Sequence, residues 1–427
     1  MICVRFDHHT EDFARNWRAI YAGLRSSCPV AHSTAHEGFY VLTRYDDVRR
    51  VLQDPANFAC GRDLELGGRR TGGITIPANP VRMGMLEMDP PRSQAYRRIL
   101  APAFSAKAIR EYRPRMAQII AWAVDRVIES GHIDFVDDLA NPVPALVTLD
   151  LVGLPLEKWQ AYAVALHKAA YREKGSARAI AELVADLRDY IGQRRSADRR
   201  HGAAGRPGDV VDLLLAAEVD GAAVDDEMVT ELVFMLLNGG IDTSTALIAS
   251  MFGYLGEHRD HRAALAADPG LIPAAVEEML RYHPPGTGVA RTVTHQVDIA
   301  GTRLFPGDRV LLALGSANND EAVFPAPDEV HLDRDNAGRH LAFGYGIHRC
   351  LGAFLAPAEM AVLLEEVLRR LPDYEIDAAG TVPYPTIPIV SGYIAMPATF
   401  TPGPRTLAGE QSDLPPAAGC CPPDGRR

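Results

Sequence analysis

The stretch Phe343-Gly344-Tyr345-Gly346-Ile347-His348-Arg349-Cys350-Leu351-Gly352 sets one cysteine behind a loop broken twice by glycine. A long amphipathic run follows it. From Leu351 to about Leu371 the apolar residues Leu355, Met360, Val362, Leu363, Val367 and Leu371 recur at roughly helical spacing, which predicts a helix starting beside Cys350. A sulfur at a helix N-terminus lies next to unpaired N–H groups and the positive end of the helix dipole, which favours thiolate over thiol. Gly344, Gly346 and Gly352 let the backbone turn sharply and come close to a flat group. Taken alone, a cysteine in such a turn is more often a buried structural thiol.

Three further patterns share the chain with it. Asn238-Gly239-Gly240-Ile241-Asp242-Thr243-Ser244 lies inside an apolar helical run from about Asp226 to Glu257. Each glycine costs roughly 1 kcal/mol against alanine in a helix interior, so a side chain there would obstruct something. A ligand approaching the backbone is one answer; close helix–helix packing, with Asp242 merely solvated, is the other. The Thr243 hydroxyl can bond back to the carbonyl of Gly239 and bend the helix. Glu278-Met279-Leu280-Arg281 puts a carboxylate and a guanidinium on one helix face, just before His283-Pro284-Pro285. By itself such a pair is commonly a surface ion pair worth little. Arg97, Arg291 and His340 are scattered cations or potential cations, each as readily a surface or core-polar residue as a binding one.

Together these residues resemble the cytochrome P450 family of heme-thiolate monooxygenases, soluble bacterial type. The Cys350 stretch is similar to the family's heme-binding loop of Phe, two glycines, His or Arg, Cys and Gly. The resemblance implies heme b, with Cys350 as the axial ligand of its iron, pushing electron density toward O–O cleavage. It implies that Phe343, Gly344, Gly346 and Gly352 shape the loop around the sulfur, that Gly239 lines the oxygen groove, and that Arg97, Arg291 and His340 hold the heme carboxylates. Thr243 would hydrogen-bond the oxygen and Asp242 would gate proton delivery, a step worth about 10²–10⁴-fold in rate. Glu278 and Arg281, with Arg334 as third member, would brace the fold beneath the heme. The implied fold is mainly α with a small β-rich region, a single large domain over residues 1–400, followed by a disordered tail over 401–427.

The implied activity is insertion of one oxygen atom from O2 into a C–H bond or an alkene of a hydrophobic small molecule. Electrons would come from NAD(P)H through a ferredoxin reductase and a ferredoxin. Met235, Gly239, Gly286, Thr287, Val289, Ile389 and Val390 are expected to face the substrate, with the 60–88 loop above them. They are small or apolar, which favours a terpenoid or polyketide-like secondary metabolite. Arg69, Arg70 and Arg82 in that loop are read as solvated rather than as a carboxylate site. Two alternatives stay open: oxidative ring closure or coupling of a natural product, and a heme sensor or carrier without turnover. Arg97, Arg98, Arg110, Arg113, Arg115 and Arg349 are expected to present positive charge to an acidic ferredoxin.

Two positions depart from the family pattern. Ser93 stands where a histidine is usual, four residues before Arg97. Pro357 stands where arginine is usual in Leu355-Ala356-Pro357-Ala358-Glu359. In a straight helix from Leu351 its ring would clash with the Ala353 carbonyl, at a cost of about 3 kcal/mol, which predicts a kink.

Bulk properties bound the rest. The 427 residues are 47% hydrophobic and 23% charged, ordinary for a globular protein with a large core. A formal charge of -11 argues against general nucleic-acid binding. The six cysteines form neither a disulfide framework nor a zinc pattern; Cys420 and Cys421 are adjacent in a polar tail. No signal peptide and no uninterrupted membrane-length apolar run is visible. The expectation is a cytoplasmic monomer with no membrane association. Along the chain, 38–43 read as a strand, with Thr43 and Asp46 capping a helix through Leu52. Cys60 to Pro91 reads as a long loop, Tyr96 to Arg195 as mostly helical, 196–209 as an exposed connection, and 297–314 as a small β region.

Overall fold

The computed structural model describes residues 3–4, 6–66, 68–201, 209–407 and 414–415. Thirteen α-helices carry just under half of its described residues. The first seven are α1 (Glu11–Ser27), α2 (Tyr45–Leu52), α3 (Arg92–Leu100), α4 (Ala106–Asp125), α5 (Pro142–Val152), α6 (Trp159–Ala170) and α7 (Ser176–His201). Then come α8 (Val210–Leu215), α9 (Asp226–Glu257), α10 (Arg259–Ala267), α11 (Ile272–Tyr282), α12 (Leu314–Ala317) and α13 (Leu355–Arg370). The architecture is mainly α with small β regions, as expected.

Helix α9 runs through the centre. Asp225 caps it by accepting the Met228 N–H at 2.8 Å, and Asp226 and Glu227 occupy its positive end. Beyond the first turn nearly every side chain is buried, because α5, α6 and α7 pack along it. It is the one described helix long and apolar enough by composition to cross a membrane, and 78% of its most apolar window is buried inside the protein. Its apolarity is that of a core helix.

A six-stranded sheet lies to one side, in the order Cys3–Val4, Val30–Ser33, Phe39–Leu42, Arg309–Leu312, Val289–Val293 and Phe58–Ala59. Phe39–Leu42 pairs antiparallel with Val30–Ser33 and parallel with Arg309–Leu312, and all four of its residues are buried. The strands at Val297–Ile299 and Thr302–Leu304 form a separate hairpin, so the 297–314 region is β as expected.

Local details correct several expectations. Helix α2 is not capped by Thr43, whose hydroxyl donates to the Pro29 carbonyl; the Tyr45 N–H donates instead to Asp320 Oδ2 at 2.8 Å, across the chain. The Cys60–Pro91 loop contains a short hairpin (Leu64–Leu66 with Arg69–Thr71) and one 3-10 turn. Within 196–209, helix α7 continues to His201, and 202–208 lie outside the described residues. In the segment expected to be disordered from 401, the described part is tied down. The Thr406 and Leu407 N–H groups donate to Asp125 at 3.1 and 2.8 Å, and Arg370 donates to the Pro404 carbonyl at 2.9 Å. Leu414 is buried and Trp122 donates to the Pro415 carbonyl.

Helix α13 begins at Leu355, not beside Cys350; turns occupy 351–354. Pro357 therefore sits in the first helical turn, where its missing N–H has no intrahelical partner to lose and the Ala353 carbonyl is outside the helix. The straight helix from Leu351 on which the predicted kink depends does not form, and α13 runs from Leu355 to Arg370.

Candidate active site

One cavity of about 760 Å³ runs from the Cys350 loop, past the middle of α9, to the 74–86 part of the long loop. The Cys350 loop is built by its glycines. Gly344 and Gly346 both have positive φ (65° and 72°), and a Cβ on Gly346 would stand 2.6 Å from the Leu52 carbonyl oxygen. The Cys350 N–H donates to the Phe343 carbonyl at 2.8 Å, closing the loop. The accessible surface of Cys350 faces the cavity, together with Phe343, Gly344 and Gly352.

Burial raises the Cys350 thiol, while the Gly352 N–H, Arg97 and Arg349 pull it down. Because α13 starts five residues later, the sulfur does not sit at that helix N-terminus. What the sulfur does have is the N–H of Gly352 and two nearby guanidiniums.

Around the sulfur end stand groups that want an anion. Arg291, on the strand Val289–Val293, is only 6% exposed, and its hydrogen bond goes to the neighbouring Ala290 carbonyl. Arg97, on α3, also lines the cavity, and burial lowers its basicity. Neither pairs with an acid among the described residues. His348 completes the set: it lines the cavity, its Nε2 is buried without a partner, and burial with Arg291 and Arg97 nearby holds it down to about 4. His340 does not line the cavity. Its Nδ1 accepts the Ala342 N–H at 3.1 Å and its Nε2 rests 3.2 Å from Glu277 Oε2, so the ring is turned to α11 instead. The histidine of this set was legible in the opening stretch, two residues before Cys350, and was passed over.

The two adjacent glycines at the middle of α9 divide the two readings between them. At Gly239 a Cβ would meet nothing within 4 Å, and the residue lines the cavity. At Gly240 a Cβ would fall 2.6 Å from Thr148 Oγ1 of α5, so this glycine serves helix packing. Thr243 Oγ1 donates to the Gly239 carbonyl at 2.7 Å, as the spacing predicts, within a helix assigned α throughout. Asp242 is not solvated: it is 5% exposed, lines the cavity, and burial raises its carboxyl above the ordinary range.

Glu278 and Arg281 are fully buried, with Arg281 Nε and Nη2 donating to the two carboxylate oxygens at 2.7 and 2.8 Å. Arg334 Nε adds a bond to Glu278 Oε1 at 2.9 Å. Arg281 also donates to the carbonyls of Asn318, Pro327 and Glu329. The cluster stitches α11 to the segment leading into the Cys350 loop.

Of the expected pocket residues, Met235, Gly239, Gly286, Val289, Ile389 and Val390 line the cavity. Thr287 does not; its N–H donates to the Ile389 carbonyl and its hydroxyl lies near the carbonyls of residues 387 and 389. Arg70 and Arg82 both pair with Asp63 outside the cavity. Arg113 and Arg115 are also paired, with Glu365 and Asp150; Arg98, Arg110, Arg113 and Arg349 are exposed and Arg115 is half-buried. Ser93 is buried with its hydroxyl unpartnered.

Residues 270–381 match the cytochrome P450 family model. The steroid C26-monooxygenase of Mycobacterium tuberculosis is 33% identical, over 92% of this chain and 95% of the relative. The chain belongs to the cytochrome P450 family. The P450 monooxygenase PikC of Streptomyces venezuelae is 32% identical over 92% of this chain and 93% of its own. A Bacillus megaterium P450 solved with testosterone superposes with a TM-score of 0.79 at 26% identity, covering 92% of this chain and 99% of that one. The fold is accordingly the P450 fold in a single domain, and the protein is a heme monooxygenase. It uses heme b and O2, with electrons from NAD(P)H through redox partners. The residues fit that cofactor: a buried cation without an acid, an orphaned imidazole nitrogen and an accessible sulfur share one cavity wall.

Proposed function

We propose that this P450 oxygenates a hydrophobic metabolite of middle size, of the terpenoid, steroid or polyketide kind. The observation that carries this is the cavity above the Cys350 loop, where the loop residues Ile74, Val81, Met83 and Leu86 face Met235 and Leu247 of α9. Burial of apolar surface contributes about 25 cal/mol per Å², so such walls favour ligands that leave water readily. Relatives named for steroid C26 oxidation and a B. megaterium P450 solved with testosterone point the same way.

In this reading Cys350 is the thiolate ligand of heme iron, and Phe343, Gly344, Gly346 and Gly352 shape its loop. Arg97, Arg291 and His348 hold the two carboxylates by charge-assisted hydrogen bonds. Bound heme supplies the activation of O2. Gly239 keeps the α9 wall open, Thr243 orients the oxygen through a hydroxyl tethered to Gly239, and Asp242 holds a proton for delivery at its carboxyl. Glu278, Arg281 and Arg334 brace the fold. Residues 1–400 form one heme-thiolate domain, which 401–407 clasp along α4. A ferredoxin delivers the electrons at the exposed Arg98, Arg110 and Arg349 face, in the cytoplasm, and the enzyme acts as a monomer.

The test is a spectral titration of the purified heme protein with testosterone, a macrolide and a small polar amine, followed by product analysis. Apolar ligands are expected to displace iron-bound water and to gain one oxygen atom. A response to the polar amine alone overturns the substrate class.

A further inference from the structure

Asp242 is the one acid among the described residues that line the cavity. Its Oδ1 is buried and has no hydrogen-bond partner. Behind it, α6 places His167, whose Nδ1 stands 3.6 Å from that oxygen. His167 does not line the cavity. Its Nδ1 lies 2.9 Å from the Tyr384 hydroxyl, and its Nε2 is buried with no partner.

The surroundings of His167 are titratable on several sides. Tyr384 and Tyr171 meet it edge-on, with ring centroids 5.3 and 5.8 Å away, and burial keeps Tyr384 protonated. Asp242 on α9 is held up by burial and pulled down by His167. Asp137, in the turn Phe135–Ala140, is held up by burial and by Asp134 and Asp138, and is pulled down by His167. Asp137 is exposed and accepts the Asn141 side-chain N–H at 3.2 Å. The imidazole is thus within electrostatic reach of one acid at the cavity wall and another at the surface.

We propose that His167 is a positioning residue that hands protons to Asp242 from the side away from the cavity, with Tyr384 fixing its ring. The inference rests on the reading of Asp242 as the proton-holding acid. A proton arriving through water bonds to Nε2 and makes the ring an imidazolium. The Nδ1–H bond then breaks as an O–H bond forms on Asp242 Oδ1, and the electron pair stays on nitrogen. Because 3.6 Å is longer than a hydrogen bond, the carboxyl must turn toward the ring for this transfer. Exchange with water resets the tautomer, and no electron moves.

The experiment compares the wild-type holoenzyme with His167→Phe, His167→Asn and Asp242→Asn. Infrared difference spectra against pH follow the protonated carboxyl band that Asp242→Asn removes. NAD(P)H consumption without substrate, through a ferredoxin pair, is measured in light and heavy water. His167→Phe should raise the midpoint of the carboxyl band, since the imidazole pulls it down, and slow consumption about tenfold with an altered isotope effect. His167→Asn keeps a hydrogen-bonding group but carries no proton, so it should keep the wild-type melting temperature without restoring the rate.

An unchanged midpoint and isotope effect in His167→Phe overturn the inference, as does full rescue by His167→Asn. If His167→Phe does not fold, the Asn variant decides alone. When Asp242→Asn slows consumption and the His167 variants do not, the inference falls and the reading of Asp242 stands. When Asp242→Asn itself has no effect, both fall.

Discussion

Arg281 grips both oxygens of Glu278 at 2.7 and 2.8 Å, and neither side chain has measurable exposure. A bidentate pair in that setting is costly to halve, because the remaining charge is buried alone. Breaking such pairs costs about 3–5 kcal/mol. Arg281→Ala strands the Glu278 carboxylate, which still faces Arg334. Glu278→Ala strands two guanidiniums. Both variants should melt well below wild type by calorimetry, with Glu278→Ala at least as low. Equal melting temperatures across the three proteins would show that the pair only decorates the fold.

Gly239 and Gly240 are neighbours with opposite environments, and alanine should separate them. Gly240→Ala drives a methyl to within 2.6 Å of Thr148 Oγ1, so α5 or α9 must shift. Overpacking of this kind costs about 1–3 kcal/mol. Adding Thr148→Ala should recover most of that loss, a coupling readable in a double-mutant cycle. Gly239→Ala meets nothing and gains helix propensity, about 1 kcal/mol. Its methyl projects into the cavity, so it should raise the melting temperature while weakening the spectral response to large ligands.

How far the site was legible follows the same division. Thr243 could be placed from its spacing to Gly239, because an i to i−4 bond is local to one helix. The Glu278–Arg281 pair was readable for the same reason, and Arg334 followed from the family pattern. What failed depended on distant chain. The helix after Cys350 starts only at Leu355, and the loop before it holds Gly346 against the Leu52 carbonyl, a contact that no local periodicity carries. His340 and His348 are both plausible by type; only the packing of His340 on Glu277 separates them. The pairing of Arg113 and Arg115 with acids on other helices was likewise out of reach of local pattern.

Arg291 should show a cost in the free protein and a benefit in the loaded one. Its guanidinium is 6% exposed and has no acid partner among the described residues. Arg291→Met removes a buried unpaired charge, so the apoprotein should melt no lower than wild type. The loaded variant should lose heme faster to a scavenging apoglobin, on the order of tenfold, because a charge-assisted bond to a carboxylate is gone. A lower apoprotein melting temperature with unchanged heme loss would assign Arg291 to the fold.

Pro357 at the start of α13 should be nearly neutral. It occupies a first-turn position that asks for no N–H, so Pro357→Ala should change stability by less than about 1 kcal/mol. A large gain in melting temperature would instead reveal strain at this site.

Glu359 makes the stability of the protein fall with rising pH. It lies on α13, is 2% exposed, has an unpartnered Oε1, and burial pushes it from 4.5 up to about 8. Below the ordinary value of 4.5 the folded and unfolded chains both hold the proton, and the group has no bearing on stability. Between 4.5 and about 8 the unfolded chain releases its proton while the folded one keeps it, so unfolding gains as pH rises. Above about 8 both states are ionised and the loss levels off. Glu359→Gln keeps the shape without the charge, so its melting temperature should exceed that of wild type by more at high pH than at low. The check is the difference between the two proteins from about pH 5 to pH 9, which cancels other titrating groups. A difference that stays flat across that range would mean Glu359 ionises in place, paired with a cation the folded state brings to it.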